Sequence, residues 1–285
     1  MDALCQAMGL SRQAYYQARQ RAAQKAILEV TVLTLVRMVR AKHPRMGTRK
    51  LLHQIRPMLS QQGLRIGRDH LFALLKEKDL LVPRVKNKRR TTWGGRYRYP
   101  NLIAGLEVTH PNQVWVVDIT YLQTADGGFL YLFIVMDLYS RTLVGWALGD
   151  SLEAQHAIRA LKNALAFVNT PVSGLIHHSD HGVQYTSKAY QSLLAEQGMQ
   201  ASMGAVGNAY ENAYAERVLG TLKQEYLLEG PWASLAQAEA TVQEAIRLYN
   251  TDRPHMALGW ETPWRVYHEA VPVASVKVKE VVSCP

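Results

Sequence analysis

Three carboxylates in the second half of the chain have types and spacings that could hold metal ions. Asp118 interrupts an apolar run, Asp180 follows a short apolar segment, and 35 residues separate Asp180 from Glu216. Each has an ordinary explanation by itself, because aspartates at strand edges or in turns and exposed helical glutamates are all common. Carboxylates from a central strand, a neighbouring strand end and a later helix can converge on one patch, and the pattern predicts that these do.

Such a patch would suit the cleavage of phosphodiester bonds by two magnesium ions. The reaction needs an activated oxygen nucleophile and charge relief on the attacking and leaving oxygens, which two hard cations roughly 3.5–4 Å apart supply. Mg²⁺ prefers oxygen ligands and keeps several waters, so three carboxylates suffice as protein ligands. We therefore expect His177, His178 and His181 to be loop structure or DNA contacts rather than metal ligands.

Glu211 competes with Glu216 for the place of the third carboxylate. A helix turns by about 100° per residue, so these two side chains point about 140° apart and only one can face the metal ions. We choose Glu216. Asn212, one turn earlier, shares its face and could orient it by hydrogen bonding, and Lys223, two turns later, projects from that face toward bound phosphate.

Hydrophobic periodicity predicts the elements that must carry these residues. Three β-branched and aromatic runs indicate consecutive antiparallel strands, the first two joined by an Asp-Gly-Gly turn at 126–128. Asp150 with Glu153, and later Ser234, predict helix starts. The predicted strands are 113–123, 129–138, 141–148 and 174–178, and the predicted helices are 151–168, 187–197, 210–228 and 235–250. This order is typical of a ribonuclease H-like α/β fold, a mixed sheet with flanking helices.

The first part of the chain has helical periodicity throughout. Short helices at 2–8 and about 12–22, broken at Gly9 and with Ser11 as N-cap of the second, have helix-turn-helix spacing. This signal is weak by itself, since such breaks are common in any helical bundle. Further helices are predicted at 27–40, 47–59 and 68–78.

Charge is distributed very unevenly along the chain. Residues 1–100 contain 22 Lys and Arg against 5 Asp and Glu, a net charge of +17, and the remainder has a net charge of −7. Lys and Arg neutralise phosphates in the sequence-independent part of nucleic-acid binding, so we expect the first half to bind DNA. A solvated basic surface is the alternative. The candidate DNA-binding residues are Arg49, Lys50, Arg68, Lys88, Arg89, Arg90 and, in the second half, Lys223.

A change of composition marks the boundary between the two halves. Residues 83–107 combine dense basic residues with Trp93, Tyr97 and Tyr99 and are expected to form a linker. Plain disorder and a path along a DNA backbone, with rings stacked on exposed bases, both fit this composition. The predicted organisation is a helical DNA-binding region at 1–82, this linker, a catalytic domain at 108–250 and a C-terminal tail at 251–285.

Composition argues against several other classes of protein. No apolar run approaches the roughly 20 residues that span a bilayer, and no secretory signal pattern begins the sequence. Cys5 and Cys284 lie at opposite ends, which argues against a disulfide framework or a multi-cysteine zinc site. We expect a soluble cytoplasmic protein that has no membrane partner and associates with the nucleoid when it acts.

Motifs along the chain resemble those of one family. They are WVVDITY at 115–121, DLYSR at 137–141, HSDHGVQYTS at 178–187, GN at 207–208, ENA at 211–213, AE at 215–216, GTLK at 220–223, YN at 249–250, RPH at 253–255 and TP at 262–263. With these motifs the chain resembles the second-frame (OrfB) transposases of insertion sequence family 3, within the retroviral-integrase-like catalytic superfamily. The match covers nearly the whole chain, and the segment 45–50 resembles the family's DNA-binding region.

The resemblance implies a DDE polynucleotidyl transferase whose catalytic triad is Asp118, Asp180 and Glu216. It implies two Mg²⁺ ions, for which Mn²⁺ would substitute. It also implies cleavage at the terminal inverted repeats of the element and joining of the 3′-hydroxyl ends to target DNA. Lys223 matches the family's DNA-contacting lysine.

The resemblance implies partners as well as DNA: a homo-oligomer on the DNA, and an upstream-frame OrfA product or an OrfAB fusion. Met1 stands only a few residues before the first predicted helices and no heptad segment precedes them, so we expect the chain alone to bind DNA with little sequence preference. Many relatives have other residues at His181, Val183, Glu211 and 205–206, which concerns the subfamily and the end sequence and leaves the triad intact.

Two alternatives stay open at this stage. A hydrolytic nuclease of the same fold would cut DNA without joining strands. A domesticated DNA-binding regulator would bind DNA without cutting it, and loss of a triad carboxylate would have favoured that function. All three carboxylates are present.

Overall fold

The computed structural model describes residues 11–83, 99–168, 170–180, 182–204 and 213–270. The chain divides into two compact units, Met1–Arg84 and Val85–Pro285. The expected helix at 2–8 and most of the expected linker lie outside the described residues. No helix in the described ranges has the length and apolar character needed to cross a membrane.

The described part of the first unit is helical. Its helices are α1 (Arg12–Lys42), α2 (Thr48–Gln61) and α3 (Arg68–Glu77). Ser11 caps α1 as predicted, because its hydroxyl accepts a hydrogen bond from the backbone N–H of Ala14 at 3.1 Å. The prediction of two helices at 12–22 and 27–40 is wrong, since α1 is continuous. Residues 23–26 are alanine, glutamine and lysine, which are good helix formers, so nothing ends the helix there.

The C-terminal half of α1 packs on α2 and α3 around a small apolar core. The buried members are Val32, Leu35, Val36, Met46, Leu51, Leu52, Ile55, Leu59, Leu71, Leu74 and Leu75. The N-terminal half of α1, up to Ile27, is mostly exposed. The long helix therefore extends beyond the core that supports it.

The second unit is built on a mixed five-stranded sheet. Its strands are β1 (Val114–Gln123), β2 (Phe129–Asp137), β3 (Leu143–Gly149), β4 (Ile176–Ser179) and β5 (Gln200–Met203), in the order β3-β2-β1-β4-β5. The first three strands pair antiparallel, as predicted, whereas β4 pairs parallel with both β1 and β5. With helices on both faces, this is the ribonuclease H-like architecture that the order of elements predicts.

Helices cover both faces of this sheet. They are α4 (Ala154–Val168), α5 (Lys188–Glu196), α6 (Ala213–Glu225), α7 (Leu235–Thr251) and α8 (Pro263–Ala270), with a 3₁₀ turn at Met256–Leu258. Side chains alternate between faces along a strand. Val114, Val116 and Leu122 of β1 pack with α6 and α7, and Trp115 and Val117 pack with α4 and α5. Two apolar layers thus enclose the central strand.

The starts of two helices test the capping predictions. Ser234 caps α7 as predicted, accepting a hydrogen bond from the N–H of Gln237 at 3.2 Å. The predicted start of α4 at Asp150 is wrong, because the helix begins at Ala154. The chain bends after β3, and the carboxylate of Asp150 lies 3.5 Å from Nε2 of His156 instead of capping the first turn.

The segment 251–270, which the sequence analysis assigned to a tail, contains the 3₁₀ turn and α8. Tyr267 of α8 is buried among residues of the α4 face of the sheet. Its hydroxyl accepts a hydrogen bond from Nδ2 of Asn112 at 2.8 Å and donates to Oδ1 of the same residue at 3.1 Å. This part of the chain therefore belongs to the fold of the second unit.

Candidate active site

Asp118 and Asp180 lie beside each other on neighbouring strands. In the parallel pairing of β1 with β4, Val116 is the partner of His178. Two residues further along each chain, Asp118 stands within β1 and Asp180 directly follows β4. Neighbouring strands are about 4.8 Å apart, and residues two apart point to the same face. The fold therefore brings the first two candidate carboxylates together.

The phenol of Tyr185 is a second sign that these carboxylates are close. Tyr185 is 2% exposed. Burial raises its pKa well above the usual value, and the charges of Asp180, Tyr190 and Asp118 raise it further. Its hydroxyl has no hydrogen-bond partner within the described part of the chain. The charges of both aspartates thus act on one buried ring.

Local backbone contacts hold each aspartate in place. Oδ1 of Asp118 accepts a hydrogen bond from the N–H of Ile119 at 2.8 Å, and Oδ1 of Asp180 accepts from the N–H of Gly182 at 3.0 Å. A Cβ at position 182 would stand 3.0 Å from Oδ1 of Asp180, closer than side chains usually approach. Glycine therefore lets the backbone donor reach the carboxylate.

Glu216 lies in the first turn of α6 and is exposed. Helix α6 covers the sheet face on which Val116 and Asp118 lie, and Ala215 and Val218 pack into the core there. Among the described residues, no group of three or more His, Cys, Asp and Glu side chains is arranged to hold a metal ion. The register of β1 and β4 thus places Asp118 and Asp180 on neighbouring strands, and the described residues show no three-carboxylate ligand group that includes Glu216.

The aspartate pair is suited to a hard divalent cation. Both side chains offer carboxylate oxygens, which Mg²⁺ prefers over nitrogen or sulfur. Asp118 and Asp180 are therefore the residues of this site that would hold a metal ion.

The two described histidines near the site are buried within β4. His177 and His178 belong to β4, and each is 1% exposed. Nε2 of His177 is hydrogen-bonded to the hydroxyl of Tyr190 at 2.8 Å, and burial lowers its pKa to about 3. Nδ1 of His178 is hydrogen-bonded to Oγ of Ser202 at 2.9 Å. The prediction that these two are loop residues or DNA contacts is wrong, because β4 continues through Ser179.

Comparison with known proteins decides the family. The Integrase core domain matches residues 108–209, and a second family of the same description matches residues 197–263. The uncharacterized 31 kDa protein of insertion element IS600 from Shigella sonnei is 35% identical over 272 residues, covering 91% of this chain and 96% of that protein. The chain belongs to the insertion-sequence transposases with an integrase core domain.

Other transposases of this family are similar over much of the chain. The transposase for insertion sequence element IS904 of Lactococcus lactis subsp. lactis (strain IL1403) is 35% identical over 217 residues, covering 75% of this chain and 83% of that protein. The transposase for element IS629 of Shigella sonnei is 30% identical over 273 residues, covering 91% and 88%. The predicted family is thereby confirmed.

Among solved structures, retroviral integrases are similar at a lower level. The HTLV-2 integrase catalytic core domain in complex with magnesium is 19% identical, covers 56% of this chain and 98% of that chain, and has a TM-score of 0.45. The simian T-cell lymphotropic virus intasome is 18% identical, covers 84% and 77%, and has a TM-score of 0.49. The order of the strands and the Integrase core domain match establish the fold here.

The described DNA-binding candidates of this transposase lie on helices. Lys223 is half-buried on α6, two turns after Glu216. Arg49 is exposed and Lys50 half-buried in the first turn of α2. Arg68 begins α3 and is exposed, with Nε 2.8 Å from Oδ1 of its neighbour Asp69. Outside the described residues lie Lys88, Arg89, Arg90, Asn212, Glu211 and His181.

Sequence reasoning missed a second basic surface in the first unit. Arg12, Arg19, Arg21 and Lys25 are exposed on the N-terminal half of α1, and no acidic residue occurs between positions 12 and 28. The unbroken run of helix-forming residues through position 26 is the signal that would have predicted one long basic helix. A basic helix of this kind suits a phosphate backbone.

Proposed function

We propose that this transposase cuts the DNA at the ends of its insertion element and joins the resulting 3′-hydroxyl ends to target DNA. Asp118, Asp180 and Glu216 are the proposed catalytic triad and hold two divalent metal ions. The parallel pairing of β1 with β4, whose register places Asp118 within β1 and Asp180 directly after β4 on neighbouring strands, in a chain with an integrase core domain, is the observation that carries the proposal. Its substrate would bring it to the bacterial nucleoid.

The proposed chemistry consists of two phosphoryl transfers. In the first, water attacks a phosphorus at the element end, a new P–O bond forms, and the P–O3′ bond breaks to leave a 3′-hydroxyl on the element. In the second, that hydroxyl attacks a target phosphodiester and releases the target's own 3′-oxygen, which takes up a proton. The second step exchanges one phosphodiester for another and needs no external energy source. When bound, two Mg²⁺ ions, or Mn²⁺ in their place, supply nucleophile activation and charge neutralisation.

Glu216 is the proposed third ligand. Two observations support this assignment. Glu216 is exposed, and it lies in the first turn of α6, the helix that covers the Asp118 face of the sheet. Asn212 is proposed to orient it.

Substitution of Glu216 tests this assignment. We expect Glu216→Gln to abolish cleavage of DNA that flanks the gene while leaving the melting temperature and DNA affinity unchanged, because it removes a charged ligand and nearly preserves volume. Glu211→Gln is the matched control on the same part of the chain and should retain cleavage. Full activity of the Glu216 variant, or loss only in the Glu211 variant, would reverse the choice of ligand.

Strand joining separates a transposase from other DNA-processing functions. A duplex that already ends in the free 3′-hydroxyl of the element, mixed with supercoiled target and Mg²⁺, should yield joined products. Cutting without joining would indicate a hydrolytic nuclease, and binding without either reaction would indicate a DNA-binding regulator. The test uses the full chain, so that the helical unit contributes its DNA affinity.

The helical unit, with Arg49, Lys50 and Arg68, and the basic segment with Lys88, Arg89 and Arg90 are proposed to supply most of the phosphate contacts. Their affinity should fall steeply with salt, as counterion release requires. Sequence preference is proposed to come from an upstream-frame OrfA product, or a fused OrfAB protein, in an oligomer on the DNA. If the isolated chain prefers the inverted repeat over a scrambled duplex by about 1000-fold, the proposed partner is unnecessary.

A further inference from the structure

The first turn of α6 is held by a residue from the turn between β2 and β3. The guanidinium carbon of Arg141 lies 3.9 Å from the ring centroid of Tyr214. Tyr214 is the second residue of α6 and comes two positions before Glu216. A cation over an aromatic face at this distance is well within the range of an attractive cation–π contact. Arg141 belongs to the DLYSR motif, to which the proposed chemistry assigns no role.

Hydrogen bonds around Asp137 fix the backbone of the turn that carries Arg141. Asp137, which is fully buried, accepts hydrogen bonds from the N–H of Ser140 at 2.8 Å, from Oγ of Ser140 at 2.6 Å and from the N–H of Asn112 at 2.7 Å. The backbone N–H of Arg141 donates to the carbonyl of Asp137, and the N–H of Asp137 donates to the carbonyl of Thr142, each at 2.9 Å. This network fixes the direction in which the residue at position 141 leaves the turn.

The backbone of Arg141 is in a conformation that favours glycine. Its φ is +66°, in the left-handed region, which costs a residue with a side chain about 1–3 kcal/mol. Glycine would adopt this conformation without that cost. The backbone conformation therefore does not favour arginine here. Any stabilising contribution of Arg141 must come from its side chain. The guanidinium donates to the carbonyl of Leu138 and covers the ring of Tyr214.

The position of Tyr214 on α6 connects this contact to Glu216. Ala215 is fully buried in the core between sheet and helix. Since a helix turns about 100° per residue, Tyr214 and Glu216 flank Ala215 on opposite sides. At the other end of α6, Glu225 is bound by Arg253. With the far end held, a contact on the Tyr214 flank restrains the rotation of the first turn, which carries Glu216.

We propose that Arg141, through Tyr214, is a positioning residue that fixes the first turn of α6, which carries Glu216, over the sheet face on which Asp118 lies. The inference rests on the proposed role of Glu216 as a metal ligand. Groups that orient metal ligands without touching the metal typically change metal affinity by about 10- to 100-fold when they are removed. The contact between Arg141 and Tyr214 is the corresponding group on α6.

Two variants remove the contact from opposite sides with little risk to folding. Arg141→Gly removes the side chain at a backbone position that suits glycine, so the turn should stay intact. Tyr214→Leu removes the ring at a position that is 47% exposed, so it leaves no buried cavity. Tyr214→Phe is the matched control for the ring face, because it keeps the aromatic face and removes the hydroxyl, whose interaction with Arg141 opposes the lowering of the Arg141 pKa by burial.

Direct Mn²⁺ binding to the metal-free full chain, followed by the electron paramagnetic resonance signal of free Mn²⁺, measures the effect without DNA or catalysis. We expect Arg141→Gly and Tyr214→Leu to weaken Mn²⁺ binding by about tenfold, the low end for such groups, and Tyr214→Phe to bind as the wild type does. Hydrogen exchange of the amides at 213–219 should also become faster in the first two variants only.

The same titration separates this inference from the function on which it rests. If Glu216→Gln weakens Mn²⁺ binding while Arg141→Gly and Tyr214→Leu bind like the wild type, the positioning role of Arg141 is wrong and the ligand assignment stands. If Glu216→Gln itself binds Mn²⁺ with wild-type affinity, the assignment of Glu216 as a ligand is wrong. The proposed role of Arg141 in positioning that ligand then fails as well. A lower melting temperature with unchanged Mn²⁺ affinity in both variants would reduce the contact to a structural one.

Discussion

The two ends of α6 are both held by an arginine, but by different kinds of contact. At the start, Arg141 covers the half-exposed ring of Tyr214. At the end, the buried guanidinium of Arg253 donates two hydrogen bonds to the carboxylate of Glu225, at 2.7 and 2.9 Å. A partly buried cation–π contact contributes about 1–2 kcal/mol, whereas breaking a buried ion pair costs about 3–5 kcal/mol.

This difference separates the stability of α6 from its exact placement. The strong contact at Glu225 lies far from Glu216 and decides whether the helix stays docked. The weak contact at Tyr214 lies within one turn of Glu216 and adjusts where that turn sits. A site can thus be built on a firmly attached helix while its geometry depends on a contact that contributes little to the free energy of unfolding.

The largest expected effect is at the buried end. Arg253→Met should lower the free energy of unfolding by about 3 kcal/mol, because it removes both hydrogen bonds that the buried guanidinium donates to the largely buried carboxylate of Glu225. Urea unfolding of the purified chain measures this. The double variant Arg253→Met with Glu225→Met should regain most of the loss. Arg247→Met, which breaks the exposed pair with Glu244, should cost at most about 1 kcal/mol. If breaking the Arg253–Glu225 pair and breaking the Arg247–Glu244 pair lower the free energy of unfolding equally, burial does not make the first pair stronger.

A smaller effect on the free energy of unfolding is expected at Asp137, in the turn that carries Arg141. Asp137→Asn should lower the free energy of unfolding by about 1–3 kcal/mol, because an amide has one acceptor oxygen and would turn an N–H₂ group toward a buried donor. The control is Asp150→Asn on the exposed surface. If Asp137→Asn leaves both the free energy of unfolding and Mn²⁺ binding unchanged, the turn does not depend on the buried carboxylate. The claim that Asp137 fixes the direction of the Arg141 side chain is then wrong.

The smallest effect on stability is expected at Lys223, near the firmly held end. Lys223→Ala should change the free energy of unfolding by no more than about 0.5 kcal/mol. Crosslinking to the terminal nucleotides of the element should nevertheless fall, while bulk DNA affinity persists through the basic first hundred residues. Gln224→Ala, at the exposed neighbouring position, is the control. An unchanged crosslink yield would make Lys223 a solvated helical lysine.

Local signals in the sequence predicted much of the fold. The strand periodicity around Asp118 and the three consecutive antiparallel strands were predictable because alternation of side chains is a property of a few adjacent residues. Ser11 and Ser234 cap helices as predicted, because a cap needs only the next turn of chain. At residues 12–42 two helices were predicted where one is found. A change in the apolar pattern was interpreted as a break, but the residues at that point are good helix formers and the helix continues through them.

What the sequence determined by itself is the family, the order of elements and the identity of the candidate carboxylates, all of which depend on residue type and spacing along the chain. Only the tertiary structure decided that Asp118 and Asp180 come to neighbouring strands, since that depends on the register of two strands distant in sequence. It also decided that Arg141 meets Tyr214 and that Arg253 meets Glu225. Such pairings form when packed elements bring side chains together across the fold, and no local pattern specifies them.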